Sequence, residues 1–493
     1  MSNEIAKRVF LSRLPEPPYE YILNDLANSI FIGTTRRFQV PFAWTFSTLT
    51  NPHISVVGIT GSGKSFLVKT FLLRASYVWG TSALIVDWAG EYKAWVKQSG
   101  GIVVSLGKGD SLNMMDLGGM KPIDRSKQIM TSLDIISDIS DFPEQRRLTA
   151  EAIEQAYINA GFALTGIAPA GKDAPTLKDV SRLLEEKLQE GTYQYPAELE
   201  NAIYRLRQFS REGQDFFAKK STIDMGKLIS SGLVDIDLSA LPDEKFRALA
   251  ALFILQTLKE KMRAEGWSAG KGLRTIVVLD EAWKVASDER SDAITIVREG
   301  RKYQFGLIVA SQNPTDINEA IFSNVGTNII LRIKFQRFVD YLQGSLNFSQ
   351  FIRGEINKLG VGEAAVDMSF QTSVQFPSVF IINRIVGEVP LDSYTITLAD
   401  IANDAELRDQ TIPKEFLFEK LLLNSKLVES NVSTDLIESI IKELDKRNRI
   451  VDLKEFIKIL AEKNISNEAI ISLLRNMGIP DSIIGRSFSY TKT

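Results

Sequence analysis

The chain has 493 residues, of which 44% are hydrophobic and 24% charged, and its formal net charge is −3. This composition is that of a globular protein with roughly two to four structural units, and it excludes a basic nucleic-acid coat. The lack of cysteine excludes disulfides, thiol catalysis and cysteine-bound zinc, and a single histidine, His53, leaves little for a transition-metal centre.

No apolar run approaches the roughly 18 residues that a membrane-spanning helix needs, and the first residues lack the apolar core of a signal peptide. We therefore expect a cytoplasmic protein that reaches the inner face of the cell membrane only through partners. Because the net charge is slightly negative, contact with DNA requires a local basic patch, which oligomerisation concentrates.

Short stretches of alternating apolar and polar residues fill positions 1–50, as at Ser29 to Gly33 and Phe38 to Phe42. They predict a strand-rich segment that leads into the main fold. His53 precedes the next strand, where it either touches a phosphate or serves a structural role. Nothing beside it calls for a base, which favours the structural role.

A glycine-rich loop follows the β-branched run that begins at Ser55. Gly58 to Ser65 fit the pattern G-x-x-x-x-G-K-[ST], and a run with helical periodicity starts at Phe66. Glycines at this spacing let successive N–H groups turn toward a polyphosphate at a helix N-terminus. The loop predicts ATP binding, with Lys64 directed at the β- and γ-phosphates and the Ser65 hydroxyl completing a Mg²⁺ shell. The predicted nucleotide-binding residues here are Thr60, Gly61, Ser62, Gly63, Lys64, Ser65 and Phe66.

A second apolar run, Ala83 to Trp88, predicts a short buried parallel strand. Asp87 lies at its carboxyl end and Glu91 just beyond it. Ligands of open α/β sheets bind at that edge, so both carboxylates are candidate cofactor-binding residues. An equally good interpretation makes Asp87 a helix N-cap and Glu91 a solvated turn residue.

Between about residues 123 and 230, apolar residues recur every three or four positions, which is typical of amphipathic helices. Thr176 is the expected N-cap of one of them. Strand patterns flank this stretch, at Ile102 to Leu106 on one side and Gly232 to Leu238 on the other. The pattern indicates a helical insertion between strands of one α/β core.

The run Arg274 to Leu279 predicts a further buried strand, and the carboxylates Asp280 and Glu281 follow it directly. Asp280 suits a water-mediated hold on Mg²⁺, and Glu281 can orient the water that attacks the γ-phosphate. The upstream Gly-Lys-Ser loop favours this interpretation over a helix cap formed by the pair.

The strand Gly306 to Ala310 ends in Ser-Gln-Asn-Pro. A neutral amide beside the Asp-Glu strand can detect the γ-phosphate, and Gln312 is our candidate for that sensor. Arg298 and Arg301 precede this strand on a predicted helix and are candidates for a cation that acts in a neighbouring subunit's site. For either arginine alone, a solvated helix position is the favoured alternative.

Residues 328–338 alternate as a strand with Arg332, Lys334 and Gln336 on one face. This face fits either a phosphate-binding stripe or a charge-protected edge strand. Phe376 to Val386 predict one more strand.

From about residue 391 the pattern changes to short amphipathic helices. Examples are Thr434 to Leu444, Leu453 to Ala461 and a helix capped by Ser466. No basic recognition helix stands out among them, which favours packing or docking over DNA binding.

The order of these motifs resembles the HerA/FtsK superfamily of hexameric DNA-pumping ATPases. The motifs that carry the resemblance are the glycine-rich loop, Asp-x-x-Gly-Glu-Tyr at 87–92, the helical insertion, Asp280-Glu281, Arg-Lys-Tyr at 301–303 and Ser-Gln-Asn-Pro at 311–314. Over about residues 27 to 390 the chain looks most similar to HerA and to VirB-type conjugation ATPases of type IV secretion systems, including relatives in archaeal DNA transfer. The resemblance implies a RecA-like fold, a homohexameric ring with ATP at its subunit joints, and DNA, expected to be double-stranded, in the central pore.

The resemblance also carries over roles residue by residue. It assigns the phosphate and Mg²⁺ contacts to Lys64 and Ser65, the metal-side acid to Asp280, the catalytic base to Glu281, the sensor to Gln312, and an arginine-bearing helix to the segment with Arg301. The chain then divides into a strand-rich segment (1–50), a first part of the RecA-like core (51–122), the helical insertion (123–230), a second part of the core (231–390) and a helical C-terminal module (391–493).

The sequence thus predicts an α/β P-loop ATPase that pumps DNA in DNA transfer or processing, with a membrane transfer channel or a nuclease as a further partner. The alternative assigns the ATPase protein cargo, as the energy source of a type IV secretion or pilus-like channel. Glu281 disfavours a scaffold that binds ATP without hydrolysis, because such a site needs no positioned base. A small-molecule kinase is disfavoured because nothing resembles an acceptor pocket.

Overall fold

The computed structural model describes residues 28–35, 41–167, 171–211, 215–266, 272–281, 283–346, 348–371, 379–384, 411–413, 450–463 and 465–476. Among the helices of these segments, none combines the length and the apolar composition that crossing a membrane requires. The elements predicted within residues 1–27, 36–40 and 434–444 lie outside the described part of the chain.

Eleven strands of the described residues form one sheet. They are β1 (Ser29–Thr35), β2 (Pro41–Thr45), β3 (Ile54–Val57), β4 (Ser82–Asp87), β5 (Ile102–Ser105), β6 (Leu233–Asp237), β7 (Thr275–Asp280), β8 (Phe305–Ser311), β9 (Thr327–Ile330), β10 (Glu363–Met368) and β11 (Val379–Arg384). The order across the sheet is β2-β1-β11-β10-β9-β3-β8-β7-β4-β6-β5. From β9 to β5 neighbouring strands are parallel, whereas β2, β1, β11, β10 and β9 pair antiparallel. A separate two-stranded ribbon joins β12 (Thr411–Pro413) to β13 (Ile450–Asp452).

The helices are α1 (Lys64–Trp79), α2 (Lys93–Gln98), α3 (Pro122–Ser137), α4 (Pro143–Asn159), α5 (Leu177–Gln189), α6 (Pro196–Arg207), α7 (Met225–Leu228), α8 (Glu244–Glu265), α9 (Trp283–Ser287), α10 (Asp292–Glu299), α11 (Glu319–Phe322), α12 (Gln336–Leu346), α13 (Gln350–Ile356), α14 (Leu453–Glu462) and α15 (Asn467–Asn476). Short 3-10 turns cover Phe46–Thr48, Ile139–Asp141, Gly300–Tyr303 and Pro314–Asp316.

Both faces of the parallel half are covered, which explains why its strands read as continuous apolar runs. On one face Phe71 and Leu72 of α1 join a buried cluster with residues such as Ile85 of β4. On the other face Leu255 of α8 packs in a larger cluster that includes Leu307 of β8. Burial of apolar side chains on both faces fixes the register of the strands between them.

The carboxyl ends of the central strands are therefore aligned. Asp87, the last residue of β4, is paired with Asp280 of β7 and with Asp237 of β6. On the other side of β7, Val57 of β3 is paired with Ser311 of β8. Residues that follow β3, β4, β7 and β8 consequently meet along one edge of the sheet.

Helices α3 to α7 lie between β5 and β6, in the stretch where the spacing of apolar residues predicts helices. Thr176 precedes α5 and forms a capping box with Asp179, whose carboxylate accepts the Thr176 N–H at 2.8 Å. The N-cap prediction for Thr176 is confirmed.

The strand predicted over 328–338 is wrong beyond Ile330, where β9 ends. Helix α12 begins at Gln336, because Val339 and Leu342 recur at helical spacing and are buried. Arg332, Lys334 and Gln336 therefore do not share one face of a strand. The positions that follow β9 form a loop and the first turn of a helix.

In the segment predicted as a C-terminal helical module, only 411–413, 450–463 and 465–476 are described. Helix α14 covers the predicted helix over Leu453 to Ala461. The Ser466 hydroxyl accepts a hydrogen bond from the Ala469 N–H at 3.2 Å, as expected for the residue that caps α15.

Candidate functional site

The loop between β3 and α1 has the backbone shape of a phosphate-binding loop. Gly61 and Gly63 have φ angles of 76° and 108°, in the region that favours glycine. Gly63 directly precedes α1, so the backbone N–H groups of the first helical turn open onto the loop. Lys64, Ser65 and Phe66 form that turn. This is the geometry in which a helix N-terminus binds an anion.

Neighbouring strands hold the loop from the side. The Gly58 N–H donates to the Ser311 carbonyl at 3.2 Å, and the Ile59 N–H donates to the Arg332 carbonyl at 3.0 Å. A Cβ atom on Gly58 would lie 2.7 Å from the Leu331 Cβ, so only glycine allows this approach. Ser62 turns its hydroxyl inward and donates to the Ile59 carbonyl at 2.7 Å. The loop is thus rigid before any nucleotide binds.

Lys64 and Glu281 meet across the sheet edge. Lys64 Nζ donates to the carbonyl oxygen of Gly58 at 2.9 Å and lies 3.5 Å from Glu281 Oε1. The lysine is 7% exposed and the glutamate 25% exposed, so the pair is shielded on one side and open on the other. The candidate phosphate ligand and the candidate base therefore share one site.

The backbone of Glu281 is unusual for a residue other than glycine. Its φ angle is 54°, in the left-handed region. Its N–H is still fixed, because it donates to the Ala310 carbonyl of β8 at 3.0 Å. Strained backbone of this kind is characteristic of functional sites.

Asp87 shapes the turn after β4. Its carboxylate accepts hydrogen bonds from the N–H groups of Ala89 at 3.2 Å, Gly90 at 2.8 Å and Tyr92 at 2.8 Å. Burial raises the pKa of Asp87, and these N–H donors oppose that rise. Asp87 is at the predicted edge, but its described contacts are to the turn that carries Glu91.

That turn brings Glu91 to the phosphate-binding loop. The Ser65 hydroxyl donates to Glu91 Oε2 at 2.6 Å, and Lys69 Nζ donates to the Glu91 carbonyl at 3.1 Å. The solvated-turn interpretation of Glu91 therefore misses a specific contact. In the structure the Ser65 hydroxyl is directed at a carboxylate.

Asp280 lies behind Glu281 and is buried, with 3% of the residue exposed. Among the described residues, none gives its Oδ1 atom a hydrogen bond. Burial, together with the negative charges of Glu281, Asp87 and Glu91, raises the pKa of Asp280 to about 8. A buried carboxylate oxygen that receives no hydrogen bond is the kind of ligand that suits Mg²⁺.

Mg²⁺ normally takes one or two protein carboxylates together with waters and phosphate oxygens. Ser65 and Asp280 fit that pattern, and they would hold the ion with the help of the nucleotide. Within the described segments no group of three or more His, Asp or Glu side chains is arranged to hold a metal without it.

Gln312 follows β8 and reaches the phosphate-binding loop. Its Oε1 atom accepts a hydrogen bond from the Thr60 hydroxyl at 2.8 Å, and both residues are exposed. The structure thus brings the candidate sensor to the loop, beside the edge where Lys64 and Glu281 meet.

The two candidate arginines differ in their contacts. Arg301 Nη1 donates to the carbonyl oxygens of Leu49, at 2.8 Å, and of Thr50. Arg298, at the end of α10, is exposed and makes no hydrogen bond or ion pair with any residue that the structure describes. Arg301 is engaged within its own chain, whereas Arg298 has no partner among the described residues.

His53 has a structural role. It is fully buried, and its Nδ1 atom accepts a hydrogen bond from the Leu307 N–H at 3.0 Å. Burial lowers its pKa to about 3, so the ring is neutral at physiological pH. This placement agrees with the favoured interpretation of the sequence.

Sequence reasoning did not single out Tyr92 as a site residue. It is fully buried next to Glu91, and burial raises the pKa of its hydroxyl well above the ordinary value. The negative charges of Asp280, Asp87 and Glu91 contribute to that rise. Only the aromatic residue at the end of Asp-x-x-Gly-Glu-Tyr could have indicated it.

A large cavity lies elsewhere in the molecule, with a volume of about 990 Å³. It is lined by the loop around Asp116, by Arg125 of α3 and by the Phe253 side of α8. The Arg125 guanidinium stacks over the Phe253 ring at 4.8 Å. None of the predicted site residues lines this cavity, so we place the candidate site at the phosphate-binding loop.

Comparison with known proteins shows which chains this one is similar to. A family model described as the central domain of helicase HerA matches residues 30–258. The DNA double-strand break repair helicase HerA of Pyrococcus furiosus is 26% identical over 416 residues, which are 72% of this chain and 72% of that protein. The DNA import protein CedB of Sulfolobus acidocaldarius is 22% identical over 386 residues, which are 73% of this chain but 58% of that protein.

Solved structures show the same fold. VirB4 of Thermoanaerobacter pseudethanolicus superposes with a TM-score of 0.60 at 20% identity, covering 73% of this chain and 97% of that one. The bacterial conjugative coupling protein TrwB superposes with a TM-score of 0.51 at 11% identity, covering 70% and 87%. The α/β, RecA-like P-loop fold is confirmed, and so is the resemblance to HerA and to conjugation ATPases.

Proposed function

We propose that this chain, similar to HerA over most of its described core, is an ATP-driven translocase that pumps DNA through the central pore of a homohexamer. At a coarser level, the relatives support an NTPase that processes or transfers DNA. A TrwB structure with an ATP analogue has the same fold, which supports ATP as the nucleotide. The observation that carries the proposal is the 3.5 Å approach of Lys64 to Glu281 at the phosphate-binding loop.

Each side chain of the site has a role that its position supports. Lys64 and the loop N–H groups bind the β- and γ-phosphates. Glu281 orients the attacking water and accepts its proton, because it is the partly exposed carboxylate beside Lys64. Gln312 contacts the γ-phosphate through its side-chain amide. Ser65 and Asp280 would hold Mg²⁺, which would supply positive charge to neutralise the β- and γ-phosphates.

The remaining positive charge comes from a neighbouring subunit. Arg298 is exposed and has no partner among the described residues, which supports it as the arginine that acts across the subunit joint. Arg301 was an equal candidate from the sequence, but its bonds to the Leu49 and Thr50 carbonyls favour a role within its own subunit.

The proposed substrate is double-stranded DNA in the pore. The proposed location is the cytoplasm, and the proposed further partner is either a membrane transfer channel or a nuclease. The second candidate function is an ATPase with the same nucleotide site that energises a secretion channel and acts on protein cargo. The similarity to VirB4 supports this candidate. The two candidates differ in whether DNA stimulates ATP turnover.

The test is ATP hydrolysis by purified protein with and without duplex DNA, for the wild type and for Glu281→Gln. We expect DNA to stimulate the wild type, with weaker binding as salt rises. Glu281→Gln should bind ATP and lose turnover by roughly 10²-fold or more. Glu289→Gln, which changes an exposed glutamate nearby, is the matched control and should retain turnover.

Unchanged turnover in Glu281→Gln would remove Glu281 from its proposed role. A rate of ATP hydrolysis that duplex DNA does not change would favour the protein-cargo candidate. Electron microscopy of the wild type with a non-hydrolysable ATP analogue and duplex DNA tests the ring, and particles without six-fold closure would contradict it.

A further inference from the structure

Two exposed apolar side chains lie on segments next to the phosphate-binding loop. Phe335 is 63% exposed and follows β9, and Val361 is 67% exposed in the turn before β10. Among the described residues, the other large apolar side chains that are exposed lie between residues 102 and 204. A single exposed apolar residue is ordinary on a protein surface, so two at one site are the feature to explain.

The register of the sheet brings the two segments to the same edge. Strand β9 runs parallel to β3, so the residues after Ile330 leave the sheet at its carboxyl edge. Strand β10 runs antiparallel to β9, with Ala365 paired to Ile330, so the turn before Glu363 lies at that edge too. Asn357 Nδ2 donates to Gln336 Oε1 at 3.3 Å, which joins the end of α13 to the start of α12. The two segments are therefore neighbours.

Both segments are hydrogen-bonded directly to the phosphate-binding loop. The Ile59 N–H donates to the Arg332 carbonyl at 3.0 Å, shortly before the exposed phenylalanine in the sequence. The Gly362 N–H donates to the Ser62 carbonyl at 3.2 Å, and Gly362 directly follows the exposed valine. These two bonds fix the backbone that carries both apolar side chains relative to the place where phosphates bind.

The position of the γ-phosphate determines the direction in which a nucleotide extends. Glu281 and Gln312, which contact that phosphate in the proposed function, follow β7 and β8. Strand β3, which carries the phosphate-binding loop, lies between β8 and β9. A triphosphate is a linear chain. With its γ end on the β8 side, its α end and the nucleoside leave the loop toward β9 and β10, where the two exposed side chains lie.

The side chains at this place suit a planar ring that is attached to negative charge. The Phe335 ring makes a T-shaped contact with Phe338 at 5.8 Å and is otherwise open to a ligand. Lys334 and Arg337 are close to it in the sequence and exposed, and neither forms an ion pair with a residue that the structure describes. Every nucleobase has a π-face that stacks on an aromatic ring, and the two cations complement the phosphates attached to it.

We propose that the base of the bound nucleotide packs against Phe335 and Val361, so that the loop after β9 and the turn before β10 form the nucleoside-binding part of the site. The inference rests on the proposed function, because it requires the phosphates to bind at the loop around Lys64. Single-stranded DNA offers the same rings and phosphates. The hydrogen bonds between these segments and the phosphate-binding loop favour the nucleotide.

The test compares two ligands that share the phosphates and differ in the nucleoside. Titration calorimetry in Mg²⁺ measures the affinity of the full-length protein for ADP and for inorganic pyrophosphate. We expect Phe335→Ala to weaken ADP binding by about five- to a hundredfold, the effect of losing one base stack, and to bind pyrophosphate as the wild type does. Phe335→Tyr retains the ring and should bind ADP normally. Val361→Ala should weaken ADP binding by about threefold and leave pyrophosphate binding unchanged.

Tyr204→Ala is the matched control. Tyr204 is 70% exposed, like Phe335, but it lies on α6 in the helical insertion. We expect this variant to bind ADP and pyrophosphate with wild-type affinity. Thermal unfolding verifies that each variant is folded, and the unfolding temperatures should stay near that of the wild type because all four substitutions change exposed side chains.

Three outcomes overturn the inference, and only the last also removes the proposed nucleotide site. If Phe335→Ala binds ADP with wild-type affinity, the base does not pack on Phe335, and a loss of affinity for a single-stranded oligonucleotide in that variant would assign the ring to DNA instead. If Phe335→Ala loses ADP and pyrophosphate equally, the substitution acts on the phosphate-binding loop and not on the base. If the wild type binds neither ligand, the inference and the proposed nucleotide site both fail.

Discussion

The Thr60 hydroxyl donates a hydrogen bond to Gln312 Oε1 at 2.8 Å, which connects the phosphate-binding loop to the end of β8. An amide has one acceptor oxygen and one NH₂ donor group. Because Thr60 occupies the oxygen, the NH₂ group of Gln312 is left to meet an anion. The bond therefore sets the orientation that a γ-phosphate sensor needs.

Thr60→Val should slow hydrolysis while nucleotide binding is retained. Valine has the shape of threonine but no hydroxyl, so the amide loses the contact that orients it. We expect kcat to fall by about five- to tenfold, the equivalent of one hydrogen bond, with KM for ATP little changed. Steady-state kinetics measures both constants. Thr60→Ser retains a hydroxyl, so its kcat should stay near that of the wild type. Equal kcat values for Thr60→Val and Thr60→Ser would contradict the role of Thr60 in orienting Gln312.

The left-handed backbone of Glu281 predicts an order of stability among inactive variants. Glycine adopts a φ angle of 54° without strain, asparagine tolerates it, and alanine does not. Each substitution removes the same carboxylate, so the lost contact with Lys64 cancels in the comparison. We expect the free energy of unfolding to be about 0.5–1 kcal/mol higher for Glu281→Gly than for Glu281→Ala, with Asn between them. Chemical denaturation measures the order of the three free energies of unfolding. If Glu281→Ala is the most stable of the three variants, the backbone of Glu281 is not strained.

Arg298 should act on a neighbouring subunit's nucleotide. We expect Arg298→Ala to reduce DNA-stimulated turnover by roughly 10³-fold without changing the unfolding temperature, because the side chain has no partner in the described part of its own chain. Mixed with Glu281→Gln subunits, it should regain turnover that neither variant has alone. A mixture as inactive as its components would exclude action across the joint.

Arg301→Ala should have the opposite profile. Its guanidinium bonds to the Leu49 and Thr50 carbonyls, so truncation leaves two carbonyl oxygens without that donor. We expect the free energy of unfolding to fall by about 1–2 kcal/mol. Urea denaturation provides the measurement. If Arg301→Ala unfolds at the same urea concentration as the wild type, the two hydrogen bonds contribute nothing to stability.

His53 predicts a loss of stability in acid. Its pKa is about 3 in the folded chain and near 6.5 when unfolded, so the unfolded chain binds more protons between these values. The contribution of neutral His53 is fully present above pH 6.5 and is lost as the pH falls toward 3. Between pH 7 and pH 5 the wild type should lose about 2 kcal/mol more than His53→Asn, in which the amide oxygen can still accept the Leu307 N–H. Equal losses measured by denaturation would contradict this assignment.

The central features of the site were predictable because they follow from short segments. A buried apolar run predicts a strand, and a polar residue directly after it lies at the sheet's carboxyl edge. Glu281 and Gln312 each occupy such a position, and Lys64 follows from the pattern of the glycine-rich loop; the structure brings the three to one edge of the sheet. Their catalytic roles stay predictions.

Contacts between distant segments were not predictable in this way. The bonds of Arg301, in the 3-10 turn Gly300–Tyr303, to the carbonyls of Leu49 and Thr50 join segments about 250 residues apart, which no local pattern encodes. The same holds for the burial of Tyr92, which packs with residues of β4 and of the helix after the phosphate-binding loop. The error over 328–338 is local: the alternation there ends before the helical repeat of Val339 and Leu342 begins.

Strand β3, which carries the phosphate-binding loop, has both of its neighbours late in the chain: Ile54 is paired with Ile308 and with Thr327. On the ribosome, β3 and α1 emerge long before β8 and β9 have been translated. The loop contacts to Ser311 and Arg332 therefore form only near the end of synthesis of the core. A nascent chain shorter than this has no finished nucleotide pocket, so ATP cannot guide the early steps of its folding.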